Sequence, residues 1–380
     1  MNSEEKQNWW VEMDAYWKRY FKIQLNSSFS YDKEARDQFV PNHEQLEELL
    51  LSSHLSLYNS SISNFKALIP MRNLVGMDCR IMPFLKDLND LPQLQSLNSF
   101  SLISSKVISF LPLGKMENLI SLHLADNNAE NLNGLESIQT LQQLEISERK
   151  ISDISPLAKF PELLELKLSD MEIKNFDMIQ QIKSLKKITL EKLNISSLGF
   201  LENLHQLENL SCETCNIGAT PDIQGLHQLT ILNLSNCKVE DPTFLSSLTS
   251  LISLDITRTK INALSHLHVL KNLQEIYITE ADFSLEEIQA FKKMHPDCFI
   301  YSEHGKNFPF SIYEVYELLQ DLDLQKVKKG TKVKFTSFMN NSYENSSMYY
   351  FSCIDENFNF LWTVQNYENI ESKDYFRKVI

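Results

Sequence analysis

The chain has 380 residues, of which 43% are hydrophobic and 23% charged, the balance of an ordinary folded soluble protein. No run of about 18 apolar residues occurs, so no membrane-spanning helix is expected. The formal net charge of −14 divides into −4 over residues 1–51 (10 acids, 6 bases) and −2 over residues 299–380 (11 acids, 9 bases), leaving −8 between them; this excludes the basic footprint of a nucleic-acid binder and favours a protein partner that is basic or of mixed charge.

Met1–Trp10 carries acids and no apolar stretch, so no secretory signal is expected and the expected location is the cytoplasm. Glu4–Leu25 reads as one amphipathic helix, with Trp9, Met13, Trp17 and Phe21 close to a four-residue spacing. Asn26–Phe39 reads as a polar connection. Asn42 followed by Gln45 forms a capping box that opens a second helix through Leu51. Residues 1–51 are expected to close the open end of a repeat array; the alternative is that Trp9, Trp10 and Trp17 dock a partner.

From Ser52 to about Cys298 the chain repeats. Leu119, Leu141, Leu163, Leu185, Leu207, Leu229, Leu251 and Leu273 are separated by steps of 22 residues, and each opens a pattern with apolar residues at places one, four, six and eleven. Leu141, Leu144, Ile146 and Ile151 show it, as do Leu251, Leu254, Ile256 and Ile261. Backwards, the frame reaches Leu97, Phe100, Leu102 and Val107. One extra residue then shifts it to Leu74, Met77, Cys79 and Phe84, and it fades at Ser52, Leu55, Leu57 and Ile62, giving eleven registers. Places four and six point the same way on a short strand, so the residues between them face outward. Places eleven, fourteen and seventeen return the chain over the same core. One unit cannot bury these side chains alone, whereas stacked neighbours can.

The L-x-x-L-x-L-x-x-N-x-I-x-x-L-x-x-L-x-x-L form at a 22-residue period resembles the leucine-rich repeats of the bacterial internalin and SDS22-like types. The resemblance implies an α/β solenoid, a horseshoe with a parallel β-sheet on its concave face, with a helical N-terminal cap. The chain departs from the family at place nine, normally a buried asparagine: Asn127 keeps it, whereas Arg149, Met171, Leu193, Cys215, Cys237 and Thr259 do not. Thr and Cys can partly serve there. The expected absence of an export signal would separate the chain from surface-anchored internalins.

Ser284–Glu287 is a further capping box, opening a helix over Leu285, Ile288, Phe291 and Met294 that Pro296 stops, and Asp297–Tyr301 supplies a last strand. Residues 299–380 then hold 18 of the 39 aromatics. There Phe310–Leu324 reads as a helix, Thr331–Phe338, Met348–Ile354 and Phe358–Val364 as strands, Asp355–Asn357 as a hairpin turn and Lys373–Ile380 as a final short helix. The expected divisions are a cap (1–51), a repeat array (52–301) and a small aromatic-rich α+β unit (302–380).

No cofactor or metal is expected. Cys79, Cys212, Cys215, Cys237, Cys298 and Cys353 do not form a disulfide framework; four lie on inward repeat places, as free thiols in a reducing cytosol do. Cys212-x-x-Cys215 lacks the second pair a structural zinc site needs. His205, His227, His266 and His268 fall on surface places. Gly330, in KKGTKVK, lacks the spacing of a phosphate loop. Cys353-x-Asp355 is similar to the active motif of bacterial leucine-rich-repeat ubiquitin ligases, but Cys353 alternates with aromatics on an expected strand and the tail is far shorter than such a catalytic domain.

What remains is the outward face of the strands, places three, five, seven and eight. It carries Asp126, Glu145, Glu148, Glu165, Asp170, Glu191, Glu213, Asp255, Glu275 and Glu280 against Lys167, Lys187, Lys192 and Arg258, with Tyr277 as its aromatic. Ten acids against four bases make an acidic docking surface, in which close rows of like charge destabilise the free protein slightly. The expected function is non-enzymatic binding of a protein partner on this face. An immunity or antitoxin role, occluding a toxic enzyme, is the alternative within binding, and a ligase using Cys353 the alternative outside it.

Overall fold

Four short helices begin the chain in the computed structural model, which describes residues 1–219, 223, 225–239, 241–261, 263–279, 282–302, 315–322, 327–341, 346–354, 359–365 and 376–379. The single helix expected over Glu4–Leu25 is two, α1 (Ser3–Glu12) and α2 (Ala15–Leu25). Asp14 decides this: its carboxylate accepts from the backbone N–H groups of Tyr16 and Trp17 at 2.9 and 3.0 Å, which ends the first helix and caps the start of a second. The connection expected at Asn26–Phe39 contains a 3-10 turn, Ser27–Ser30, and α3 (Lys33–Gln38). Arg36 is buried there and donates to the Phe29 carbonyl at 2.7 Å. α4 (His43–Leu50) starts on the expected Asn42–Gln45 capping box. Trp10, Met13, Trp17 and Phe21 are buried, and the indoles of Trp9 and Trp17 donate to the carbonyls of Ala67 and Asn64 in the first repeat turn, each at 2.9 Å.

The chain folds as two units, Met1–Asn209 and Leu210–Ile380. In the first, parallel strands follow one another in sequence order: β1 (His54–Tyr58), β2 (Gly76–Met82), β3 (Ser99–Ser105), β4 (Ser121–Ala125), β5 (Gln143–Ser147), β6 (Glu165–Ser169) and β7 (Lys187–Glu191). Their registers step by 22 residues, as in Leu122↔Leu144 and Leu144↔Leu166, except between β2 and β3, where Met77↔Phe100 shows the one inserted residue. That insertion corrects one position: Phe84 is 57% exposed, and Leu85 takes the inward place. The strands are short because 3-10 turns such as Ser155–Lys159 and Asp177–Gln181 return each repeat over the core. A short outer strand, β8 (Asn194–Ser197), closes this unit.

The second unit, which takes all but the first residue of β9 (Asn209–Glu213), has the same pattern in β10 (Asn216–Ala219), β11 (Ile231–Asn233), β12 (Lys238–Val239), β13 (Ser253–Asp255), β14 (Glu275–Ile278) and β15 (Phe299–Ser302). β11, β13, β14 and β15 pair in parallel, and β10 pairs with β12 on the return side. Between β14 and β15, α5 (Leu285–Met294) forms on the expected Ser284–Glu287 capping box. The five-stranded antiparallel sheet that follows comprises β16 (Val315–Leu318), β17 (Lys332–Asn341), β18 (Ser346–Cys353), β19 (Asn359–Gln365) and β20 (Phe376–Lys378). Two expected helices are corrected. Val315–Leu318 and Phe376–Lys378 are strands that pair with each other, because Leu318 and Phe376 then bury their side chains while Glu317 and Arg377 meet outside at 2.6 Å. The ends of the first expected helix, and the Asp355–Asn357 turn, lie outside the described residues.

All six cysteines are free and buried. Burial pushes the thiols of Cys79 and Cys212 far above the usual range, so both are un-ionised core residues.

Candidate protein-binding face

The repeat turns sort the outward residues into two kinds. Place eight, at or near the end of the strand, is held in the left-handed region in nine repeats: Asn59, Ile81, Ser104, Asp126, Asp170, Lys192, Thr214, Asn236 and Arg258 have φ between 46° and 58°. The turn lets the place-eight N–H reach the next repeat, as Asp126 N–H does to the Ser147 carbonyl at 3.0 Å and Asp170 N–H to Glu191 at 3.0 Å. Asp126, Asp170 and Arg258 therefore stand at the strand ends, and Asp170 is ion-paired to Arg149 at 2.6 Å. Glu148 is the exception. Its backbone is not left-handed, it is 1% exposed, and its carboxyl accepts from Asn127 N–H at 3.0 Å and Asn127 Nδ2 at 2.7 Å. Its expected outward placement is corrected: the exposed Arg149 gives up the inward place nine, and Glu148 takes over that polar role. Burial pushes its carboxyl up to about 7, against the pull of the Asn127 bonds.

Asp255 is likewise corrected. It is 7% exposed, and its Oδ1 accepts from Thr257 N–H at 3.0 Å and the Thr257 hydroxyl at 2.6 Å. Glu280 lies outside the described residues.

On the first unit the remaining acids do not form bare rows. Register places His123, Glu145, Lys167 and Thr189 side by side across β4–β7, and Gln143, Glu165 and Lys187 in the adjacent row. Lys167 Nζ bridges Glu145 at 3.2 Å and Glu191 at 3.1 Å, and Lys187 reaches Glu165 at 3.6 Å. Burial lowers the Lys167 ammonium, but its bonds to Glu191 and Glu145 outweigh this and hold it above the usual lysine range. Burial also holds His123 below the ordinary histidine value despite Glu145 at 3.6 Å, so at neutral pH that contact joins a neutral ring to a carboxylate. These side chains line an open depression of about 220 Å³ floored by Leu122, Leu144 and Leu166. The face is thus an alternating ladder of opposite charges on a rigid backbone, able to present paired charges and hydrogen-bonding groups to a flat partner surface.

The second unit differs. Glu213 accepts from Asn233 Nδ2 at 2.8 Å and Ser211 Oγ at 3.3 Å, and Glu275 from the Tyr277 hydroxyl at 3.3 Å. Sequence reasoning missed Phe299 and Tyr301, which sit beside Glu275 and Tyr277; the aromatic alternation in Phe299-Ile300-Tyr301 was the available signal. It also missed the left-handed turns, to which Asn59, Asp126, Asp170 and Asn236, residue types tolerant of that region, were a clue.

The ligase motif is not supported by geometry. Cys353 is buried in the core of the antiparallel sheet with Val333, Phe335 and Phe351, which denies a substrate access to its thiol. Asp355 lies outside the described residues. Among the described residues no group of three or more His, Cys, Asp or Glu is placed to hold a metal ion, and no helix is long and apolar enough to cross a membrane.

No protein-family model matches the sequence, and no curated protein matches it. The chain is similar in structure to an internalin, InlF, from Listeria monocytogenes, with a TM-score of 0.55 and 19% identity over 76% of this chain and 89% of that one. It is also similar to a leucine-rich repeat protein of Leptospira interrogans, with a TM-score of 0.49 and 22% identity over 69% and 81% of the two chains. The fold is that of a leucine-rich repeat solenoid.

Proposed function

We propose that this protein is a non-enzymatic binding module that recognises another protein through the outward, concave face of its parallel sheet. The observation that carries this is the charge ladder on β4–β7, in which Glu145, Lys167, Glu191, Glu165 and Lys187 are held in fixed register over an open depression. Parallel strands roughly 4.8 Å apart give such a surface shape and electrostatic pattern without mobile loops. Because its acids are largely matched by lysines, the ladder suits a partner of mixed charge better than a uniformly basic one. Free, buried cysteines fit a reducing compartment, and we place the protein in the cytoplasm. On this reading residues 1–51 serve as a cap, 52–301 as the binding array and 302–380 as an accessory unit. Occlusion of a toxic enzyme is a narrower form of the same binding, recognised by loss of the captured enzyme's activity in the complex.

The test is capture from native lysate followed by association kinetics. A Glu145→Lys, Glu165→Lys, Glu191→Lys protein should associate with the captured partner at least several-fold more slowly, with the salt dependence altered, while Glu202→Lys, at an exposed position just after a 3-10 turn, should not. Equal rates for all three proteins would overturn the assignment of this face.

A further inference from the structure

The second unit's sheet ends on four half-buried side chains that strand register brings together. Glu275 and Tyr277 alternate on β14, and Phe299 and Tyr301 occupy the paired positions on β15. The rings of Tyr277 and Tyr301 stack with centroids 4.8 Å apart at 21°, and Phe299 lies 6.2 Å from Tyr301. Glu275 Oε2 accepts from the Tyr277 hydroxyl at 3.3 Å and from the Ser253 hydroxyl at 3.5 Å; among the described residues it has no basic partner. This contrasts with the first unit, where Glu145, Glu165 and Glu191 each meet a lysine. A half-buried carboxylate without a base, set beside stacked ring faces, has the complementarity of a cation with a flat apolar surface.

We propose that this corner, Glu275 with Tyr277, Phe299 and Tyr301, binds an arginine side chain of the protein partner. The proposal rests on the protein-binding reading above and names what one end of the array recognises. A guanidinium can lie on a tyrosine face within about 6 Å of the ring centre while its N–H fork reaches Glu275. An ammonium offers only a point charge, and an uncharged planar group only the stacking. Burial pushes the phenol of Tyr301 up to about 12 and that of Tyr277 higher, with Glu275 adding to both, so the rings stay neutral and keep their electron-rich faces.

The test uses the full chain labelled with 3-fluorotyrosine, its Tyr277 and Tyr301 fluorine resonances identified by Tyr277→Phe and Tyr301→Phe. Acetyl-Gly-Arg-Gly-amide is titrated in, with the lysine and citrulline peptides as comparisons. The expected result is a saturable shift of both resonances by the arginine peptide, a weaker response to lysine and none to citrulline. Glu275→Gln, which keeps shape and fold, should weaken the arginine peptide about fivefold. Equal responses to arginine and citrulline, an unchanged midpoint in Glu275→Gln, or silence at both tyrosines would each overturn the proposal. If charge reversal on β5–β7 slows partner association while the arginine peptide leaves Tyr277 and Tyr301 unmoved, protein binding stands and the arginine corner falls. The opposite pattern keeps the corner and overturns the face on the first unit.

Discussion

A buried carboxyl group with no cation beside it is pushed toward holding its proton, and among the described residues the side chain of Glu148 is bonded to Asn127 alone. Its ordinary value of 4.5 applies in the unfolded chain, and about 7 in the folded one. Between those limits the unfolded chain ionises this group while the folded chain keeps it protonated, so its contribution to stability falls as pH rises, by up to about 1.4 kcal/mol per pH unit. Glu148→Gln removes that titration. Chemical denaturation at pH 4.5, 6 and 8 should show the variant gaining on the parent protein step by step; a constant difference would show Glu148 to be ionised in the fold. At the same scale, Ile81 is a β-branched residue at φ 57°, a region that Gly, Asn and Asp tolerate and where a β-branched residue is strained by roughly 1–2 kcal/mol. Ile81→Asn should raise the thermal midpoint, since the side chain is partly exposed and loses little burial.

The elements show where local bonding decides boundaries. Asp14 separates α1 from α2 and also accepts from Asn64 Nδ2 at 3.2 Å, linking the cap to the first repeat turn. Asp14→Ala should cost about 1–2 kcal/mol, read by denaturant unfolding, with part of the loss in the docking of Trp17. Within the repeats, place nine performs one task with three chemistries. Asn127 Nδ2 donates to the Leu102 carbonyl at 2.9 Å, Cys237 Sγ to Cys212 at 2.7 Å, and Thr259 Oγ1 to Leu234 at 2.5 Å, each reaching back 25 residues. Met171 and Leu193 fill the same place with buried apolar volume instead, and β6 and β7 keep their register with their neighbours. Thr259→Val should therefore cost about 1 kcal/mol, the net worth of one such bond, while Thr259→Ser should cost less. A larger loss for Ser than for Val would locate the role of Thr259 in its methyl group.

On the scale of the molecule, the distribution of charge matters more than its sum. The ladder on the first unit corrects the expectation that its acids repel one another: Lys167 stands between Glu145 and Glu191, and reversing all three acids would surround it with like charge. The Glu145→Lys, Glu165→Lys, Glu191→Lys protein should thus be slightly less stable than the parent, by about 1 kcal/mol and more at low salt, where the expectation from bare acidic rows was a slightly firmer fold. Thermal unfolding of the two proteins at low and high salt separates these outcomes.

The 22-residue spacing of leucines was enough to determine the repeat fold, the strand positions and the inward cysteines, and the local residue pattern the capping boxes at Asn42 and Ser284, because each follows from periodic burial or from a bond spanning three residues. The candidate face was legible only as a set of outward places. Which of its acids are exposed, which are paired and which are neutral depends on residues about one repeat apart in sequence but one strand apart in space: Lys167 beside Glu145, Asn127 beside Glu148, Tyr301 beside Tyr277. The aromatic tail was misread at Val315–Leu318 and Phe376–Lys378 for the same reason. Helical spacing is a property of the local chain, whereas those segments become strands by pairing with each other across some 60 residues, and only the tertiary structure makes that pairing available.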